Sequence, residues 1–148
     1  MRLGVIGYGG RIQGVLRLIG QLDTGAEVVA ITDVRNDEIR SQIEGRGDDP
    51  SKITFYDNPD AMLDNEKLDG VLVGTRCSLH ARMGIKVLRR NLPLYLEKPV
   101  ATNMNDLLAL KAAGEASSSE VVVSFPLRMT PLVQLAREII DSGQIGTV

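Results

Sequence analysis

The sequence predicts an α/β fold, a three-layer, doubly wound parallel sheet of about six strands with helices on both faces. Short runs rich in β-branched residues alternate along the chain with amphipathic segments of helical spacing. These runs are apolar at consecutive positions, which is typical of strands buried on both faces of a parallel sheet. A glycine-rich turn, Gly7-Tyr8-Gly9-Gly10-Arg11-Ile12, separates the first run from the first amphipathic segment.

Six apolar runs are predicted to form the strands. Most of them are bounded by glycine, proline or acidic residues, which favour turns over extended structure. In chain order the predicted strands are Leu3 to Ile6, Glu27 to Thr32, Ile53 to Tyr56, Gly70 to Gly74, Leu94 to Leu96 and Val121 to Ser124. The first strand runs directly into the glycine turn, and the second stops at Asp33.

Six segments between or after these strands are predicted to be helical from their apolar spacing. They are Ile12 to Ile19, Asn36 to Ile43, a short Pro59 to Leu63, Ser78 to about Arg90, Thr102 to Ala113, and Thr130-Pro131 to about Ser142. Ser78 and Thr102 are the predicted N-caps of two of these helices. Gly143 suits the position after the last helix, and Gly45 to Ser51 and Glu115 to Glu120 are predicted loops.

Composition narrows the function classes. The chain has 148 residues, enough for one domain with a core, and its 17 basic and 19 acidic residues leave a formal charge of −2. The charges form no basic stripe, and aromatic residues are only 3% of the chain, so we expect neither nucleic acid nor a membrane surface as partner. A single cysteine, Cys77, excludes an internal disulfide and a cysteine-based zinc site. We expect a cytoplasmic domain without a metal.

The glycine turn is the first candidate for ligand binding, because ligands of open parallel sheets bind beyond the carboxyl ends of the strands. Gly7 would permit the tight turn, and Gly9 would let the backbone approach a diphosphate. The N-terminus of the following helix favours negative charge. Ile12 stands where the G-x-G-x-x-G fingerprint has its third glycine, so the match is partial and close helix–strand packing is an open question.

Asp33 follows the second strand and is the second candidate. A carboxylate at this position accepts the hydroxyls of an adenosine ribose and repels a 2′-phosphate. Arg35, two residues later, could pair with a 2′-phosphate, so we prefer NAD as the cofactor without excluding NADP. The alternative is that Asp33 only caps a turn or the next helix.

Two further polar segments follow the fourth and fifth strands, Thr75 to His80 and Glu97-Lys98-Pro99. Lys98 offers a mobile cation that can hydrogen-bond a substrate hydroxyl or the nicotinamide ribose. The alternative for Lys98 is a surface ion pair with Glu97. His80 is the only histidine of the chain, and at the first turn of a helix a structural role is its commoner alternative.

Together these segments resemble the N-terminal Rossmann domain of the Gfo/Idh/MocA family, named after glucose–fructose oxidoreductase, inositol dehydrogenase and a rhizopine-catabolism protein. The resemblance covers the whole chain. The matching features are the glycine turn Gly7 to Ile12, the acid Asp33, Thr75 and His80 as the first and last residues of the family's T-P-N-x-x-H segment, Glu97-Lys98-Pro99 as its E-K-P motif, and Phe125 to Val148 as its arginine-bearing strand end, helix and lead into a second domain. Ile12 and Arg76-Cys77 depart from the family pattern.

The resemblance implies an NAD(P)-dependent oxidoreductase that moves a hydride between the nicotinamide and a CH–OH carbon of a sugar or cyclitol. It implies Lys98 as a catalytic residue and a cis bond before Pro99. The implied cofactor-binding residues are Gly7, Tyr8, Gly9, Gly10, Arg11, Ile12, Asp33, Val34, Thr75, Arg76, His80, Glu97 and Lys98.

Members of this family continue into a second domain that carries most substrate contacts and the usual oligomer interface. We therefore expect residues 1–148 to be a cofactor-binding domain, with little turnover by itself and a homo-oligomeric full-length protein. Two alternatives stay open, a non-catalytic dinucleotide-sensing module and an S-adenosylmethionine-dependent methyltransferase. Lys98 counts against the sensing module, and an antiparallel last strand would favour the methyltransferase.

Overall fold

The structure, a computed structural model, describes residues 1–147, in which strands and helices alternate along the chain. The strands are β1 Arg2–Ile6, β2 Glu27–Thr32, β3 Thr54–Tyr56, β4 Gly70–Val73, β5 Leu94–Leu96 and β6 Val121–Val123. The helices are α1 Gly10–Leu22, α2 Asn36–Glu44, α3 Pro59–Asn65, α4 His80–Leu88, α5 Met104–Ala116 and α6 Pro131–Asp141. Short 3-10 turns occupy Pro50–Lys52, Cys77–Leu79 and Pro126–Met129.

The six strands form one sheet in the order β3-β2-β1-β4-β5-β6, and every neighbouring pair is parallel. The chain winds from β1 outward to β3 and then returns to the other side of β1, so the order reverses between β1 and β4. Such a switch point leaves a crevice at the carboxyl ends of the two strands, where ligands bind. The predicted α/β class is confirmed, and the parallel strands count against the methyltransferase alternative.

Successive strand residues point to opposite faces of the sheet and contribute to two separate hydrophobic cores. The sheet is therefore the middle of three layers, with helices above and below it. On one face, strand residues pack against α1 and α2; the buried set is Leu3, Val5, Ile12, Ile31, Ile39, Ile43 and Leu72. On the other face, strand residues pack against α3, α4 and α5; the buried set includes Ile6, Met62, Val71, Val73, Ala81, Val87, Leu88, Leu94, Leu96 and Leu110. Helices therefore cover both faces of the sheet, as the apolar runs predicted.

The last strand and helix differ from that pattern. In β6, Val121 and Val122 are 43% and 57% exposed, because this strand lies at the edge of the sheet. α6 buries none of its residues, and Leu132 is 76% exposed. The expectation that every strand is buried on both faces is therefore wrong for β6.

Two predicted helix caps are also corrected. Ser78 lies inside the 3-10 turn Cys77–Leu79, and α4 begins at His80 without a side-chain cap. Thr102 is displaced as the cap of α5 by Asn103, whose side-chain oxygen accepts the backbone N–H of Asp106 at 2.9 Å. Asparagine is as good an N-cap as threonine or better, so local sequence did not separate the two positions.

Other helix ends shift for identifiable reasons. α1 starts at Gly10 rather than Ile12, because helical backbone needs no apolar side chain while the apolar pattern begins only at Ile12. α5 extends to Ala116, into the predicted loop, where Lys111 pairs with Glu115 one turn later. Among residues 1–147, no helix combines the length and the apolar character that a bilayer crossing requires.

Candidate functional site

The glycine turn lies directly against the end of β4. Gly7 has φ +86° and donates its N–H to the carbonyl of Thr32 at 2.8 Å. A Cβ on Gly7 would lie 2.7 Å from the nitrogen of Thr75 and 2.8 Å from the carbonyl carbon of Gly74. Both the positive φ and the close approach therefore require glycine at this position.

The N-terminus of α1 is left open by this turn. Gly9 is the N-cap residue, provides no capping side chain, and is followed by a first turn without an acidic residue. Gly10 is exposed, and a Cβ built on it would meet no atom within 4 Å. The first backbone N–H groups and the positive end of the helix dipole are consequently available to an anion.

Ile12 packs closely on the sheet despite occupying the place of the third fingerprint glycine. Its side chain is 0% exposed and belongs to the core under α1. A Cβ on Gly74 would lie only 2.1 Å from Cγ1 of Ile12 and 2.7 Å from its Cδ1. The isoleucine thus occupies the space that the glycine at the end of β4 leaves empty. The partial fingerprint is compatible with close packing because the small residue lies directly after β4 instead of on the helix.

Asp33 is fixed at the carboxyl end of β2, next to the glycine turn. Its Oδ2 accepts the backbone N–H of Tyr8 at 2.9 Å. Its Oδ1 accepts the backbone N–H of Arg35 at 3.0 Å and the Nε–H of Arg35 at 3.3 Å. The carboxylate is only 7% exposed, whereas Val34 beside it is fully exposed. Asp33 therefore both organises its own turn, as the alternative interpretation held, and lies where an adenosine ribose is expected.

Tyr8 connects this region to α1. The carbonyl of Tyr8 accepts the side-chain amide of Gln13 at 3.1 Å, and Oε1 of Gln13 accepts a guanidinium N–H of Arg46 at 2.7 Å. Burial raises the pKa of the Tyr8 phenol, with Arg46 opposing the shift and Asp48 adding to it. The phenol is consequently neutral at physiological pH.

Glu97 is held by the first turn of α1 rather than by its sequence neighbour. Its Oε1 accepts Nε–H of Arg11 at 3.0 Å and the hydroxyl of Tyr95 at 3.2 Å. Arg11 also donates to Oγ of Ser124 at 3.3 Å. The Glu97 side chain is 7% exposed and the Arg11 side chain 53%, so a nearly buried carboxylate meets a guanidinium that also faces solvent.

Tyr95 and Ser124 were missed by the sequence interpretation. Burial raises the pKa of the Tyr95 phenol, and the nearby Glu97 carboxylate adds to that shift while Ser124 opposes it. A neutral phenol can keep donating to Glu97. No local pattern signals either residue, because Tyr95 lies within a strand and Ser124 directly after one.

Lys98 is exposed at the end of β5 and precedes Pro99 through a cis peptide bond, the geometry that the resemblance implied. Within residues 1–147, no ion pair or hydrogen bond engages its ammonium group. The predicted alternative, a surface pair between Glu97 and Lys98, is therefore wrong, since Glu97 pairs with Arg11.

His80 is 2% exposed at the start of α4. Its Nδ1 lies 2.7 Å from the carbonyl oxygen of Pro99, and its Nε2 lies 3.0 Å from the carbonyl oxygen of Thr75. Both ring nitrogens thus face backbone acceptors. This arrangement agrees with the structural alternative for His80 and leaves no ring nitrogen facing the edge of the sheet.

The strand order brings the predicted segments to one edge. The glycine turn, Asp33, Thr75-Arg76 and Glu97-Lys98 follow the carboxyl ends of β1, β2, β4 and β5, and these four strands are parallel neighbours. An extended ligand lying along this edge would meet an open helix N-terminus in the middle, a carboxylate at one end and a cation at the other.

The comparison with known sequences agrees with this geometry. Residues 1–125 match the profile of the Gfo/Idh/MocA family, described as an oxidoreductase family with an NAD-binding Rossmann fold. The chain belongs to this family.

Similar sequences include inositol 2-dehydrogenase 3 of Saccharopolyspora erythraea, which is 32% identical over 148 residues; the match covers 99% of this chain and 42% of that protein. The inositol 2-dehydrogenase of Ralstonia nicotianae is 27% identical over 147 residues, and the match covers 99% and 43%. The Gfo/Idh/MocA chain described here therefore spans less than half the length of these relatives.

Solved structures show the same fold. The WlbA dehydrogenase of Bordetella pertussis, in complex with NADH and UDP-GlcNAcA, superimposes with a TM-score of 0.84 at 23% identity, over 98% of this chain and 43% of that one. The myo-inositol dehydrogenase of Lactobacillus casei, in complex with NAD(H) and myo-inositol, gives 0.83 at 24% identity, over 99% and 43%. The Rossmann-type architecture predicted from sequence is confirmed.

Proposed function

We propose that this chain binds NAD along the carboxyl edge of its sheet and is the cofactor-binding domain of an oxidoreductase. The main support for the proposal is the open N-terminus of α1 at Gly9 and Gly10, with Asp33 fixed at the end of the neighbouring strand β2. Membership of an NAD-binding oxidoreductase family supports it.

The diphosphate and adenosine half of the cofactor would lie between the glycine turn and Asp33. Backbone N–H groups of Gly9, Gly10 and Arg11 would face the diphosphate, because a helix N-terminus offers unpaired donors to an anion. Asp33 would accept hydrogen bonds from the hydroxyls of the adenosine ribose, with Tyr8 and Val34 beside it. Ile12 would support the site indirectly, by packing the glycine turn against β4.

Asp33 favours NAD, since its charge repels a 2′-phosphate. Arg35 weakens that repulsion, because its guanidinium already lies 3.3 Å from Oδ1 of Asp33 and is half exposed. We therefore propose NAD as the preferred cofactor with some acceptance of NADP.

The nicotinamide half would lie between the loops after β4 and β5, near Thr75, Arg76, Glu97 and Lys98. When bound, the nicotinamide ring supplies the hydride acceptor or donor. Lys98 would donate a hydrogen bond to the carbinol oxygen of the substrate and so hold the reacting carbon toward the ring. His80 would act without touching the cofactor, since its ring faces two carbonyls.

The substrate class proposed for the whole protein is a sugar or cyclitol, in line with the inositol 2-dehydrogenases among the similar sequences. We further propose that the whole protein is a cytoplasmic homo-oligomer and that residues 1–148 alone turn over little substrate. A purely dinucleotide-sensing role is less well supported, because it has no use for the exposed ammonium of Lys98.

Two matched glycine substitutions test cofactor binding. Gly10 and Gly20 both lie exposed on α1, and a Cβ at either would meet no atom within 4 Å. Gly10→Asp places a negative charge at the proposed diphosphate site while favouring the helix dipole, so folding should not suffer. We expect NADH affinity, measured by calorimetric titration, to fall at least about tenfold in Gly10→Asp and to stay within about twofold in Gly20→Asp.

Equal losses in the two variants would refute this placement of the diphosphate. Absence of heat and of any thermal shift with wild-type chain at millimolar cofactor would remove the binding proposal for this chain altogether.

A further inference from the structure

His80 connects two loops that are far apart in sequence. It is the first residue of α4, and its side chain is nearly excluded from solvent. One ring nitrogen lies 3.0 Å from the carbonyl oxygen of Thr75, just after β4, and the other lies 2.7 Å from that of Pro99, just after β5. A single ring therefore spans the ends of two neighbouring strands.

Both partners of the His80 ring are backbone carbonyl oxygens, which restricts the side chains that could replace it. Carbonyl oxygens only accept hydrogen bonds, so an imidazole N–H is the group that can bond either of them. An unpaired carbonyl in a buried place is costly. Few side chains of similar size place two ring nitrogens in opposite directions, and among the described residues no other side chain hydrogen-bonds these two carbonyls.

We infer that His80 is a positioning residue that sets the separation between the loop after β4 and the loop after β5. The inference rests on the proposed function, because these loops carry Thr75, Arg76, Glu97 and Lys98, the residues proposed for the nicotinamide half. Loss of the ring should make the loops after β4 and β5 more mobile and so weaken binding of the nicotinamide half. The adenosine half should be unaffected, because it is organised by contacts that do not involve α4.

Hydrogen exchange on the cofactor-free chain tests the connection directly. His80→Leu removes both ring nitrogens and keeps apolar bulk, while His80→Gln keeps a donor group. Val87→Ala is the matched control, because Val87 is also fully buried on α4 but packs in the core.

We expect amide exchange in residues 75–79 and 97–101 to accelerate about tenfold in His80→Leu and less in His80→Gln. Val87→Ala should accelerate exchange in α4 and the strands it covers, without singling out these loops. Equal loop protection in His80→Leu and Val87→Ala would overturn the inference.

A pair of ligands separates positioning from general destabilisation. ADP-ribose contains the adenosine and diphosphate parts of NADH but lacks the nicotinamide. In His80→Leu we expect NADH affinity to fall about tenfold and ADP-ribose affinity to stay within about twofold, with His80→Gln between wild type and His80→Leu. A parallel loss for both ligands, as expected for Val87→Ala, would contradict positioning. If the wild-type chain binds neither ligand, the proposed function fails, and the exchange experiment alone decides whether His80 holds the loops.

Discussion

Adding one methyl group at Gly74 should create a severe clash in the structure. The Cβ of Gly74→Ala would lie 2.1 Å from Cγ1 of Ile12 and 2.7 Å from its Cδ1, with the carbonyl oxygen of Gly7 at 3.4 Å. Carbon atoms in contact normally lie about 3.5–4.0 Å apart, so Ile12 or the strand must shift by more than about 1 Å. Ile12 is fully buried among the core residues under α1, so its side chain cannot turn out to solvent. We expect a loss of about 3 kcal/mol in the free energy of unfolding.

A double-mutant cycle shows whether the loss in stability at Gly74 comes from contact with Ile12. Ile12→Ala alone should cost about 2–4 kcal/mol, because it leaves a cavity under α1. In the double variant the alanine at 74 no longer meets the isoleucine and partly fills that cavity. The double loss should therefore be smaller than the sum of the single losses by at least about 1.5 kcal/mol.

Equilibrium urea unfolding followed by circular dichroism measures these values, provided that the variants share one denaturant slope. Gly20→Ala combined with Ile12→Ala is the control cycle, because Gly20 lies at the far end of the same helix with no neighbour within 4 Å. That control should be additive. Additivity of the Gly74 and Ile12 losses within about 0.5 kcal/mol would refute the idea that the glycine accommodates the isoleucine.

Two further predictions concern charged groups. Asp33→Ala should lower NADH affinity about tenfold and narrow the preference for NADH over NADPH, whereas Asp37→Ala, exposed on α2, should change neither in calorimetric titrations. An unchanged preference would contradict the assigned role of Asp33. The Lys86 ammonium beside Asp60 holds the pKa of that carboxyl below its ordinary value. The resulting stability should be present above about pH 4 and be lost as pH falls through the lowered pKa. Asp60→Asn should therefore cost at most about 1 kcal/mol in urea unfolding at neutral pH and nothing in strong acid, and a constant difference at all pH values would exclude this pair as the cause.

Much of the fold was predictable, because its signals are local. β1, β2 and β4 appear in the sequence as apolar runs, since both of their faces are covered, and the turn after β1 is marked by glycines that backbone geometry demands. The same reasoning wrongly predicted that β6 is buried on both faces, because its three valines indicate burial wherever the strand lies in the sheet. Its edge position depends on the arrangement of the other strands, which the local sequence does not show.

The site was predictable only in part. Asp33 and Lys98 could be selected because they lie one and two residues after a strand, and parallel order brings such positions together. The partner of Glu97 could not be found this way, since Arg11 lies 86 residues away in sequence. The same holds for Ile12 and Gly74, whose fit depends on the distance between a helix and a strand.

The contact between Arg11 and Glu97 gives the edge of the sheet its electrostatic balance. A carboxylate that is only 7% exposed needs a partner, and an incoming dinucleotide would bring further negative charge to the same region. Arg11 lies in the first turn of α1, where the diphosphate is proposed to bind, and its guanidinium contacts Glu97. It would therefore offset the negative charge of both the carboxylate and the diphosphate. Its half-exposed guanidinium keeps donors beyond the Nε–H that Glu97 accepts. The contact therefore joins the helix N-terminus and the loop after β5 into one connected surface.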